Sequence, residues 1–97
     1  MIAHIVLFRW TEEAKPEAID RAIAELRGLK GRIAGLVDLT GGPNFSDRSK
    51  GFTHGFVMHF TDRAALNAYL PHPEHQRVVQ TFLTPIRAEI LVVDYEF

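Results

Sequence analysis

Three stretches of this chain, Ile2 to Trp10, Gly51 to Thr61 and Glu89 to Phe97, are largely apolar on both faces that an extended backbone presents. A strand with one wet face alternates apolar with polar residues, so these read as strands covered on both sides. In the first, His4, Val6 and Phe8 share one face and Ala3, Ile5 and Leu7 the other. In the middle stretch His54, Phe56, Met58 and Phe60 share a face, opposite Thr53, Gly55, Val57 and His59. The last puts Ile90, Val92 and Asp94 on one side and Leu91, Val93, Tyr95 and Phe97 on the other.

The segments between them supply little helix. Pro16 fits a first helical position and Glu17 the first turn, with Ile19, Ile23, Leu26 and Ile33 following at helical spacing until Gly28, Gly31 and Gly35 end the run. Leu36 to Thr40 alternates and stops at Gly41-Gly42-Pro43, as an edge strand would, before the polar loop Asn44 to Lys50. Asp62 is placed to cap a short helix from Arg63 to Leu70, which Pro71 and Pro73 stop. A further helical stretch, Glu74 to Leu83, closes at Pro85. The order is βαββαβ with a broken second helix, an α+β chain with one four-stranded sheet, read as one domain over residues 1–97.

That helix covers one side of such a sheet. Ala3, Ile5, Leu7, Val57, Leu91 and Val93 on the other side would form a patch comparable to the ~800 Å² per partner of a standard interface. A homodimer packed sheet to sheet is the expected solution. A 97-residue chain buries only roughly 60–65% of its unfolded surface and gains from association.

Composition removes other classes. Eleven Lys+Arg stand against twelve Asp+Glu without blocks, giving no electrostatic reason to expect nucleic acid or an anionic membrane as partner. The absence of cysteine excludes disulfides, thiolate zinc sites and cysteine nucleophiles. No apolar run approaches the ~20 residues of a membrane span. Met1 leads straight into a strand with no basic segment before a long apolar run, and a cytoplasmic location is expected.

Polar chemistry concentrates at Tyr69-Leu70-Pro71-His72-Pro73-Glu74-His75, where two prolines stiffen the corner between two helices. The plainer reading is a turn whose histidines cap helix ends. A metal site is not expected, because Pro73 breaks the helical face that would align His72 with His75, and His54 and His59 lie on opposite strand faces. His4 and His54 each sit on a face of large apolar side chains, where an unpartnered polar ring costs about 1–3 kcal/mol. Asp94, between Val93 and Tyr95, raises the same question for a charge, and a structural His–Asp bond would answer it.

Taken together, His4-Ile5-Val6-Leu7-Phe8, Phe52-Thr53-His54, His72-Pro73-Glu74-His75 and Val93-Asp94-Tyr95 resemble the stress-responsive dimeric α/β-barrel (Dabb) proteins over nearly the whole chain. The resemblance implies a ferredoxin-like βαββαβ subunit, with helices on one sheet face, dimerising through its sheets into an α/β barrel. It also brings in a plant polyketide cyclase of the family, similar at the His-Tyr cluster. By that likeness His75 would be a general base, Tyr69 its acid partner and Asp94 the residue that orients the base. His4 and His54 would line the cavity, with Phe8, Phe56, Met58 and Val92 as apolar wall. Pro71 departs from the aliphatic residue of the cyclase, and the wall residues differ, so the substrate does not carry over.

The expectation is therefore a cofactor-free acid–base enzyme acting on a small, partly apolar carbonyl or phenolic compound, by cyclase, lyase or isomerase chemistry. Two alternatives stand beside it. One is a non-catalytic ligand-binding or stress-associated barrel, the other a cofactor-free oxygenase. A divalent ion at a dimer interface, as the family implies for some members, is left open.

Overall fold

A computed structural model describes all 97 residues. The elements are β1 (Ile2–Trp10), α1 (Pro16–Arg27), β2 (Leu36–Pro43), β3 (His54–Phe60), α2 (Arg63–Tyr69), α3 (Pro73–Val78) and β4 (Arg87–Glu96). All neighbouring strands are antiparallel, in the order β2-β3-β1-β4, so the βαββαβ chain folds into a ferredoxin-like four-stranded sheet.

The face parity read from the sequence holds in β1 and β3. Val6, Phe8, Phe56, Met58 and Phe60 are buried beneath the helices, where Ala22, Ile23 and Leu26 of α1, Leu66 of α2 and Val78 of α3 meet them. Phe8 stacks on Trp10 at 5.0 Å and meets Phe56 edge-on at 6.0 Å. Asp62 caps α2 as expected, its carboxylate accepting from the Ala65 amide at 2.8 Å.

Several boundaries move, each for a local reason. The helix α1 stops at Arg27, and Ile33 is buried from the turns that follow instead of from the helix. Gly41-Gly42-Pro43 continues β2 instead of ending it, because β2 is an edge strand and a proline can sit there with no ladder bond to lose. Gly41 also admits the Phe56 ring, since a Cβ at that position would lie 2.2 Å from Phe56 Cδ1. The third strand starts at His54, after a turn in which Lys50 and Gly51 both take positive φ. The stretch Glu74 to Leu83 is not one α-helix. After Val78 it widens into a single π-helical turn, Val79–Leu83, closed by Thr84 N–H to Val79 O at 2.8 Å.

The expected dimer face needs one correction. Ala3 is fully buried within the single chain, its small side chain lying between the larger cross-strand neighbours His59 and Tyr95. Much of the exposed large apolar surface gathers on β4, the edge strand next to β1. Leu91, Val93 and Tyr95 on one face and Ile90 and Val92 on the other are all between 38% and 51% exposed.

Candidate active site

The break between α2 and α3 sets the site. Tyr69 is the last residue of α2, and Pro73 opens α3. In an uninterrupted helix the Leu70 carbonyl would take the amide of residue 74. Here the Glu74 amide donates to His72 Nδ1 at 3.1 Å, so His72 caps α3. The freed Leu70 carbonyl accepts instead from His75 Nδ1 at 2.9 Å and from Gln76 Nε2 at 2.8 Å.

A carbonyl only accepts, so His75 carries its proton on Nδ1 and leaves Nε2 as a lone pair. Burial holds the His75 pKa below its ordinary value of 6.5, against the opposing pull of the Leu70 bond. The neighbouring His4 and His72 push it the same way as burial. The ring is therefore neutral near pH 7. It packs against the Tyr69 ring, centroids 4.1 Å apart. Tyr69 is 2% exposed, its hydroxyl makes no hydrogen bond within the chain, and burial raises its pKa, keeping it a protonated donor.

His4 approaches Tyr69 from the sheet, centroids 6.1 Å apart. It is buried, and its Nδ1 donates to the Asp94 carboxylate across the β1–β4 ladder, where the two residues are direct partners. The expected role of Asp94 is thereby corrected: it orients His4, whereas the Leu70 carbonyl orients His75. Its buried-charge reading is corrected too, because β4 is an edge and the Asp94 side chain is 44% exposed.

These groups border a cavity of about 190 Å³ between the sheet and the α2–α3 corner. His4, Tyr69 and His75 supply most of its polar lining, and Val6, Phe8, Met58, Leu83 and Val92 much of its apolar wall. Two expected lining residues are not there. Phe56 is consumed by the core beside Gly41. His54 pairs with Phe8, four ladder positions from the His4 pair, about 13 Å along the strand at ~3.3 Å per residue. Its Nδ1 accepts from Trp10 Nε1 at 2.9 Å and meets the Thr53 hydroxyl at 3.0 Å, and burial lowers its pKa against a weaker opposing pull from Asp20. Asp94 faces a second depression, of about 380 Å³, shared with Arg63 and Asn67. No three His, Asp or Glu side chains converge on a common point suited to a metal ion.

Two polar lining residues escaped the sequence reading, Gln76 and Arg87. Gln76 follows His75 and was legible by proximity. Arg87 was not, because period-two alternation back from Val92 and Ile90 puts Ala88 on the cavity face. The β1–β4 register slips between Arg9 and Trp10, pairing Arg9 with Glu89 but Trp10 with Arg87. That bulge turns Arg87 to the cavity side.

Comparisons with known proteins agree with this architecture. The chain matches the family model described as Stress responsive A/B Barrel Domain (Dabb) over residues 2–97. It is 30% identical over 95 residues to a stress-response A/B barrel domain-containing protein of Arabidopsis thaliana, covering 98% of this chain and 36% of that protein, so it spans about a third of that relative's length. The crystal structure of a dimeric ferredoxin-like protein of unknown function from Jannaschia sp. is 38% identical, with a TM-score of 0.82 and coverage of 99% of this chain and 98% of that one. The hydroxynitrile lyase of Passiflora edulis, at 24% identity, shares the fold with a TM-score of 0.87, over 97% of this chain and 90% of that one. No helix is long and apolar enough to cross a membrane. With its sheet order, its two-part second helix and a family match over residues 2–97, the chain belongs to the stress-responsive A/B barrel (Dabb) family.

Proposed function

We propose that this protein is a cofactor-free acid–base enzyme acting on a small, partly apolar carbonyl or phenolic compound, working as a homodimer closed through the sheet. The observation that carries this is a neutral imidazole, His75, whose proton is tied to the Leu70 carbonyl and whose Nε2 is free in a cavity it shares with the unpaired Tyr69 hydroxyl. A base needs a lone pair, and an enolate needs a donor; the two sit on touching rings. A fold shared with a hydroxynitrile lyase is compatible with this chemistry but does not identify a substrate.

In this reading Nε2 of His75 takes a proton from the carbon next to a carbonyl, and the C–H electron pair moves onto the carbonyl oxygen. Tyr69 donates to that oxygen as its charge grows, in surroundings of low dielectric that strengthen the bond. The enolate then adds to a second carbonyl of the same molecule or is reprotonated at carbon, and His75 returns its proton. His4, fixed by Asp94, positions a polar group of the ligand through its own Nε2.

The test is turnover of a panel of small β-dicarbonyl and phenolic compounds, with oxygen uptake recorded in parallel. His75→Ala is expected to lower turnover roughly 10²–10⁴-fold, the usual share of a positioned base. Tyr69→Phe should reduce kcat more than it raises KM. Wild-type rates in both variants, each shown to be folded, would leave a ligand-binding barrel as the better account. Oxygen consumption stoichiometric with substrate would point to the oxygenase.

A further inference from the structure

Arg87 differs from every other cation of the chain. Arg9, Arg21, Lys30, Arg32, Arg63 and Arg77 pair with carboxylates, and Arg27 donates to the Gly41 carbonyl at 2.5 Å. Lys15, Arg48 and Lys50 have no partner but lie outside the sheet and helices. Arg87 alone is a partly buried strand residue and yet makes no ion pair, no side-chain hydrogen bond and no stack on an aromatic ring.

Its placement is not a by-product of strand alternation, which would have put Ala88 there. The bulge opposite Arg9 and Trp10 aims the residue into the cavity. No Asp or Glu lines that cavity, and Arg87 is the only Arg or Lys that does. An unpaired guanidinium against an apolar wall calls for an anion, and its planar fork matches a carboxylate. We infer that Arg87 is a specificity residue, and that the cavity takes a small organic carboxylate whose acid group pairs with Arg87 while its apolar part lies toward Phe8 and Met58.

This rests on the acid–base reading only for what happens next, since anion binding needs neither His75 nor Tyr69 to be catalytic. If both hold, the substrate is a small keto or aryl carboxylic acid. The cavity of about 190 Å³ suits that size, being smaller than the ~300–1,000 Å³ of pockets for drug-sized ligands.

The experiment uses benzoate and its neutral isostere benzamide as probes, titrated into wild-type protein and followed by NMR shifts of the cavity histidines. Benzoate is expected to bind at least about tenfold more tightly than benzamide, as a charge-assisted hydrogen bond implies. The preference should weaken as salt rises. Arg87→Met, checked for native dispersion of its spectrum, should abolish the preference, and Arg87→Lys should restore part of it. The preference for benzoate over benzamide should persist in His75→Ala whatever that variant does to turnover, because it depends on Arg87, so the two readings fail separately. Equal binding of both probes, an unchanged preference in Arg87→Met, or no saturable binding of either at millimolar concentration would overturn the assignment.

Discussion

Two imidazoles of the cavity commit the same nitrogen to the protein: His4 Nδ1 to a carboxylate and His75 Nδ1 to a carbonyl. The partners differ in kind, an ionisable side chain from a neighbouring strand for His4 and a main-chain carbonyl freed by the helix break for His75. The uncharged state of His75 is set first by burial. Its depressed pKa has a definite sign for pH. Activity that needs the lone pair should rise with pH through a value below 6.5 and be flat by neutrality. Stability should behave likewise: a histidine that resists protonation when folded binds fewer protons than the unfolded chain, so stability falls as pH drops below 6.5 toward the folded pKa. His54, whose pKa burial also lowers, adds to the same limb. Thermal melts between about pH 7.5 and 5 should show this fall, and His75→Ala should flatten part of it; an identical slope in the variant would contradict the assignment. At this scale the sequence was informative about three polar residues that border the cavity, His4, Tyr69 and His75, but misplaced His54 and was weak about who holds whom. The histidines and Tyr69 could be found from the corner and from strand parity. The pairing of Asp94 with His4 followed from a strand register that no single strand encodes.

The elements carry these residues with little redundancy. Helix α2 is only seven residues long, too short to persist without its cap and its packing, and it ends on Tyr69. Removing the Asp62 carboxylate in Asp62→Ala leaves the Ala65 amide without its partner and should cost about 1 kcal/mol. For a chain of this length that is roughly 4–8 °C in Tm by calorimetry. An unshifted Tm would mean that packing of Leu66 and Tyr69 alone holds the helix. Caps and prolines were plain in the sequence because each acts through its own backbone neighbours. The π-helical turn at Val79–Leu83 and the bulge before Glu89 were not, since both are places where one residue more than the regular period is accommodated. Periodicity is blind to such insertions, and Arg87 was missed for that reason.

For the whole molecule the unmet demand is β4. Leu91, Val93, Tyr95 and Phe97 stay 45–61% exposed on a sheet face that no helix covers. The similar protein from Jannaschia sp. is itself described as dimeric, and the homodimer proposed for this chain would place a second copy on that face. Light scattering should give twice the 11.0 kDa chain mass, and Leu7→Asp or Val57→Asp, on that face, should yield monomer or insoluble protein. A stable wild-type monomer at micromolar concentration would rule out the barrel. The need for a partner was legible from the two-faced strands, because surplus apolar surface is a property of composition and alternation. Its concentration on one edge strand was set by the sheet order. That strand also furnishes Ile90, Val92 and Arg87 to the cavity. Whatever steadies β4 by assembly therefore steadies a wall of the site, and a ligand seated against that wall must, by thermodynamic reciprocity, tighten the assembly. Dilution of the proposed dimer would then loosen the cavity as the two copies separate, making occupancy of the site and the protein's own abundance two sides of one equilibrium.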